Sequence, residues 1–305
     1  MSHISEPGAG SAIGRAGSRY WRGKTSYLGA LPFILFSGLF LLYPTYNVIS
    51  GAFKNQQNKF SLSVINETLH SPITMGAFRN SLSISLRTAI AGSILGGLFA
   101  WALVTGKKKG FLYKISVALS SVLAQFGGVM LTFAFLATFG FNGVVSSLAL
   151  HVAPNSFLAS STWLYGLNGL TVVYTFFQIP LMILVFLPTI ENLRPQWREA
   201  SDSLGGNSRE YWTKIGFPVL TPSFAGAALL LFVNSFSAYA TAATLINLSS
   251  FLTPLQIASA LSSEVGGANP AEAKALSLLM VVVVTVVMIL YSLLRRRVSK
   301  WEANR

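Results

Sequence analysis

No cysteine occurs among the 305 residues, so disulfides and thiolate metal sites are excluded, and nothing follows about the redox compartment. Histidine is nearly missing as well. His3, His70 and His151 lie too far apart in sequence to suggest a metal cluster. Charged residues make up only 10% of the chain, against about a quarter in soluble domains, while hydrophobic residues reach 52%. A chain this apolar belongs in a bilayer. Acidic residues are the scarcest charged class, 9 against 22 Lys and Arg, for a net charge of +13. A basic surplus can signal nucleic acid. Here, however, most of the basic residues sit just outside apolar blocks, in alternate loops, which is the positive-inside pattern of a membrane protein. No nucleic-acid partner is expected.

Several catalytic signatures are also lacking. There is no G-x-x-x-x-G-K-[ST], so the chain has no P-loop of its own to cradle nucleotide phosphates. Neither H-E-x-x-H nor G-x-S-x-G occurs, which counts against an intramembrane hydrolase. Proton relays inside membranes normally need carboxylates. The first five apolar spans contain no Asp or Glu, and Glu272 stands at the very start of the sixth, which counts against a proton-coupled carrier.

What is present is a series of apolar blocks, each long enough to cross a hydrocarbon core of about 30 Å with about 20 residues. The spans are expected at about 27–53, 80–105, 113–139, 167–190, 219–246 and 272–294, within a membrane domain covering 25–296. Residues 1–24 read as a flexible cytoplasmic tail with Arg15, Arg19, Arg22 and Lys24, not as a cleaved signal peptide. Lys107, Lys108 and Lys109 follow span two, Arg295, Arg296, Arg297 and Lys300 follow span six, and 297–305 is a basic cytoplasmic end. Both termini are therefore expected on the cytoplasmic side of a bacterial plasma membrane. Pro44 is expected to kink span one and Pro180, beside Gln178, to kink span four. Gly127 and Gly128 should let span three pack closely. Segment 140–166 carries no charged residue and reads as an outer loop or interfacial helix, with Trp163 and Tyr165 at headgroup depth. Arg87, inside span two, is either a functional group or a snorkelling side chain.

The loop 191–218 stands apart from these blocks because it is polar, charged and interrupted by glycine. Pro195 suits the first turn of a short helix over about 195–204, and Gly205-Gly206 can supply a left-handed stop. On that helix Trp197, Ala200, Ser201 and Leu204 recur three or four apart, forming a close-fitting apolar face able to dock in a protein groove. Asn207 with Glu210 three residues later forms an Asn variant of the capping box and starts a second short helix, which Gly216 and Pro218 end.

Glu199-Ala200-Ser201, then Gly205 after three residues, then Ile215 after nine more, then Phe217-Pro218, resembles the EAA loop of binding-protein-dependent ABC importer permeases. Ser201 replaces an alanine and Phe217 a leucine of that pattern. The resemblance covers roughly residues 80–294 and is sharpest at 176–222. It implies an all-α integral membrane protein of six transmembrane helices, in a MetI-like permease fold, with a cytoplasmic coupling loop between helices 4 and 5. It further implies a non-catalytic subunit that works with a cytoplasmic ATPase dimer, a second permease subunit and an extracytoplasmic solute-binding protein. ATP and magnesium would be held by the ATPase. In that reading Glu199 makes the polar contact to the ATPase, Ala200, Ser201 and Leu204 form the fitted face, Gly205 makes the turn, and Ile215 and Pro218 anchor the loop.

The flanking sequences look most like the group of permeases for spermidine or putrescine, iron(III) and thiamine. A small polar solute such as a polyamine is therefore expected ahead of iron(III), thiamine or a phosphonate. Asn234, Ser237, Tyr239 and Thr241, with Gln178, are candidates for lining the solute path or for hydrogen-bonding one helix to another. A self-contained secondary transporter or channel is the alternative of a different class. It would be expected to show coupling carboxylates or inverted repeats.

Overall fold

A computed structural model describes residues 26–54, 59–106, 110–246, 252–262 and 269–303, with helix side chains described from residue 31 to residue 294. The tail 1–24, Lys107 to Lys109 and Glu264 lie outside the described residues. The chain divides into two compact units, residues 1–47 and 48–305.

In the first unit α1 (Ser26–Ser37) passes through a π-helical turn, Gly38–Leu42, into α2 (Tyr43–Ala52), which continues across the boundary. Pro44 has no N–H to offer the carbonyl four residues back, which lies in that wider turn. The expected irregularity thus falls one turn ahead of the proline.

The second unit is built around α4 (Pro72–Thr105), α9 (Leu167–Glu191) and α12 (Phe217–Phe236). α4 begins well before the expected residue 80 because Ser71 is extended and Pro72 is placed in the first turn, where its missing donor costs nothing. Ahead of it lies a short helix, α3 (Ser63–His70). α4 and α9 approach closely because glycines on α4 leave room. A Cβ at Gly96 would stand 2.6 Å from the Ile179 carbonyl oxygen and 2.6 Å from Met182 Cβ, and one at Gly92 would stand 2.5 Å from Gln178 Cβ. Around that crossing Ala89, Met182, Phe186, Leu231 and Phe236 form one apolar core, and Ile84, Leu131, Leu170, Val173 and Phe177 form a second.

Among the described residues six segments are long and apolar enough to cross a membrane: Leu31–Ala52, Pro72–Thr105, Val129–Val152, Leu167–Glu191, Ser208–Phe236 and Pro270–Leu294. The expected third span, 113–139, is not one helix. It is α5 (Phe111–Gln125) and α6 (Val129–Phe139), interrupted at residues 126–128, where Gly128 takes φ +69, a left-handed conformation closed to most side chains. The paired glycines break the helix where close packing was expected of them. After a turn at Gly140–Gly143 the uncharged segment forms α7 (Val144–Val152), α8 (Phe157–Ser160) and a 3-10 turn, Thr162–Tyr165. Trp163 packs edge-on against Phe139 at 5.8 Å and Tyr165 stacks on Phe141 at 4.7 Å.

α9 runs unbroken through Pro180, which is buried. The expected fifth span, 219–246, ends instead at Phe236 and resumes after residues 237–239 as α13 (Ala240–Leu245). α14 (Thr253–Leu261) then packs against α15 (Pro270–Ala303), the last helix.

Candidate functional site: the loop between α9 and α12

Between α9 and α12 lie α10 (Pro195–Ser203), α11 (Ser208–Tyr211) and a π-helical turn, Trp212–Gly216. Pro195 opens α10, and Gly205 closes it with φ +77. The Gly206 N–H donates to the Ser201 carbonyl (2.9 Å) and the Gly205 N–H to the Asp202 carbonyl (3.0 Å), the two bonds of a Schellman stop. α11 starts on a complete capping box. Glu210 N–H donates to Asn207 Oδ1 (2.9 Å), and Asn207 N–H donates to Glu210 Oε2 (3.2 Å). Lys214 then pairs with Glu210 one turn on, at 3.0 Å.

Glu199, Ala200, Leu204 and Gly205 are exposed, while Trp197 and Ser201 of the expected apolar face are half-buried, so that face is divided between solvent and the protein. Leu204 is 89% exposed, an apolar side chain held out at the end of α10. Ile215 is half-buried in the π turn, and Pro218 lies exposed in the first turn of α12. Arg198 of α10 sits over the Tyr211 ring at 6.0 Å, and Tyr211 itself is buried. Trp212 meets Tyr211 at 5.5 Å, Phe217 at 5.7 Å and Trp101 of α4 at 6.4 Å, which ties the loop to two long helices. Trp101 had no signal in the sequence beyond being an aromatic near a helix end.

The remaining candidates divide. Asn234, Ser237 and Tyr239 are exposed around the interruption that ends α12. Thr241 and Gln178 are buried. Gln178 Nε2 donates to the Leu231 carbonyl at 2.7 Å and so joins α9 to α12, while its Oε1 has no partner. Thr241 offers its carbonyl to Thr132 Oγ1 at 3.4 Å. Next to them Tyr174 donates to the Ala238 carbonyl at 2.6 Å, and Thr88 and Ser235 hydroxyls bond at 2.8 Å. Among the described residues no three His, Asp or Glu side chains gather as a metal site.

No family model matches the chain. Over 205 residues it is 25% identical to a putative ferric transport system permease protein of Haemophilus influenzae, a match covering 66% of this chain and 31% of the relative. It therefore spans about a third of that relative's length. Over 207 residues it is 26% identical to the sulfate transport system permease protein of Escherichia coli, covering 66% of this chain and 68% of the relative. Among solved structures, a chain of a bacterial ABC transporter involved in the import of alginate superposes with a TM-score of 0.70 at 17% identity, covering 90% of this chain and 96% of the other. The relatives are ABC importer permeases, and this chain has an ABC transporter permease fold.

Permeases of this kind are non-catalytic membrane subunits, in keeping with the missing nucleotide and hydrolase motifs. In the permease fold the loop between α9 and α12 joins two helices long and apolar enough to cross a membrane, and among the described residues it carries a dense run of exposed polar side chains.

Proposed function

We propose that this chain forms the solute path of an ATP-driven importer and takes its work from a cytoplasmic ATPase dimer through α10. The observation that carries the proposal is the exposed surface of Glu199, Ala200 and Leu204, closed by the left-handed Gly205. Burying Leu204 in a partner's groove contributes about 1.5–3 kcal/mol, and the neighbouring Glu199 gives that contact a polar register. Engagement moves the permease only if the groove holds α10 differently in the two states of the ATPase. Ser201 lets the partner approach, and Ile215 and Pro218 fasten the loop to α12.

The reading places the 191–218 loop and both termini in the cytoplasm. It adds a second permease subunit and an extracytoplasmic binding protein as partners. The cargo is a small polar solute. The names of the relatives mention ferric iron and sulfate and not a polyamine, which moves the weight away from spermidine or putrescine. Asn234, Ser237 and Tyr239 line the path in this reading. Their polarity is costly against lipid, and their exposure in a single subunit leaves them for an aqueous channel or the second permease. Gln178 and Thr241 act as links between helices. Affinity capture of the chain from its native membrane should retain a P-loop ATPase, and Glu199→Ala or Gly205→Pro should release it. Retention unchanged by both substitutions would overturn the coupling role.

A further inference from the structure

The outward surface of α4 carries Arg79, Ser83 and Arg87, spaced four apart and so stacked along one strip of the helix. The strip lies opposite the side that α4 buries with Ser81, Ser85 and Thr88. Both arginines are exposed and Ser83 between them is half-buried. Among the described residues neither arginine is paired with a carboxylate. Glu191, Glu199, Asp202 and Glu210 are at the far end of the bundle, where Trp101 of α4 meets Trp212 of the loop. Of the nearer acids, Glu67 is on α3, and Glu272 is already approached by Thr74 and Gln256 at 3.5 Å and by Asn269 at 3.4 Å.

Depth sharpens the point. Counted back from Thr105 at 1.5 Å per residue, a hydrocarbon core of about 30 Å takes up about 20 residues. Arg87 then lies within a turn of the boundary opposite the α10 loop, and Arg79 about 12 Å further out. Helical side chains lean toward the N-terminus, the direction in which Ser83 and Arg79 stand one and two turns from Arg87. Leu82, Leu86 and Ile90, all at least 40% exposed, wall the strip with apolar surface. A guanidinium held there without a counter-charge is costly, and its planar fork fits two oxygens of an oxyanion.

We propose that Arg87, with Ser83 and Arg79, forms an oxyanion site at the end of the bundle opposite the α10 loop, taking a sulfate- or phosphate-type group. The group comes either from a small solute in the mouth of the path or from a lipid headgroup. The site depends only on the chain crossing a membrane, so loss of the ATPase-coupling reading leaves it standing. The test uses the full chain in a phosphate-free maltoside detergent and follows thermal unfolding. One arm titrates sodium sulfate against sodium chloride at equal ionic strength; the other titrates phosphatidylglycerol against a galactolipid that lacks phosphate. Sulfate or phosphatidylglycerol should raise the melting temperature of the wild type beyond its control. Arg87→Gln should shift the midpoint of that response at least tenfold to higher concentration, and Arg87→Lys, which keeps the charge without the fork, should fall between. A sulfate response assigns the site to a solute, and a response to phosphatidylglycerol alone assigns it to lipid. Should Arg87→Gln prove unstable, Ser83→Ala and Arg79→Gln carry the same comparison. The proposal is overturned if neither anion acts beyond its control, or if the substituted chains respond as the wild type does.

Discussion

Replacing Gly205 with alanine adds one methyl group in open space, so any effect must come from the backbone. At φ +77 a non-glycine residue costs about 1–2 kcal/mol, and that cost bears on the two hydrogen bonds that close α10, Gly206 to Ser201 and Gly205 to Asp202. Such an energy corresponds to a factor of about 5–30 in the population of the closed turn. Amide hydrogen exchange at residues 205 and 206 should therefore accelerate by that factor in Gly205→Ala, while amides in α9 and α12 keep their rates. Asparagine tolerates the left-handed region, so Gly205→Asn should recover most of the protection. The apparent affinity for a partner that needs the closed turn should weaken by no more than the same factor. If alanine and asparagine behave alike, or if Gly205→Ala exchanges as the wild type does, the turn does not owe its closure to backbone handedness.

Two further expectations concern the bundle. Gln178→Leu gives up the 2.7 Å bond to the Leu231 carbonyl but also removes a buried oxygen without a partner, so thermal stability in detergent should change by less than about 2 kcal/mol and can rise. A larger loss would show that the amide does more than join α9 to α12. Gly96→Ala would place Cβ 2.6 Å from a backbone oxygen that cannot step aside, at a cost of about 1–3 kcal/mol. Size-exclusion chromatography after a heating series should show earlier aggregation, and an unchanged midpoint would mean that the α4–α9 crossing has room for the added methyl group.

The loop between α9 and α12 was legible in the sequence except at its end, where Gly216 and Pro218, expected to stop the second short helix, lie inside a helical run that continues from Ser208 to Phe236. Pro195 at the start of α10, Gly205 at its left-handed stop and the reciprocal Asn207–Glu210 cap all obey rules that act within one or two turns of chain. The predicted continuous helix over 113–139 was not legible, because glycine can serve either as a packing notch or as a break. Gly92, Gly96 and Gly97 took the first role and Gly128 the second.

Composition and charge placement alone made this a membrane chain, since a low share of ionisable residues and apolar blocks of bilayer length leave no other solvent for it. Tertiary structure alone decided which polar groups of those blocks face inward. Thr88 finds Ser235 at a separation of 147 positions and Gln178 finds Leu231 at 53, while Asn234 and Ser237, one residue to either side of the Ser235–Phe236 pair, stay on the surface. Neighbouring residues on a helix point in different directions, and which direction is interior depends on a second helix whose position no local pattern encodes.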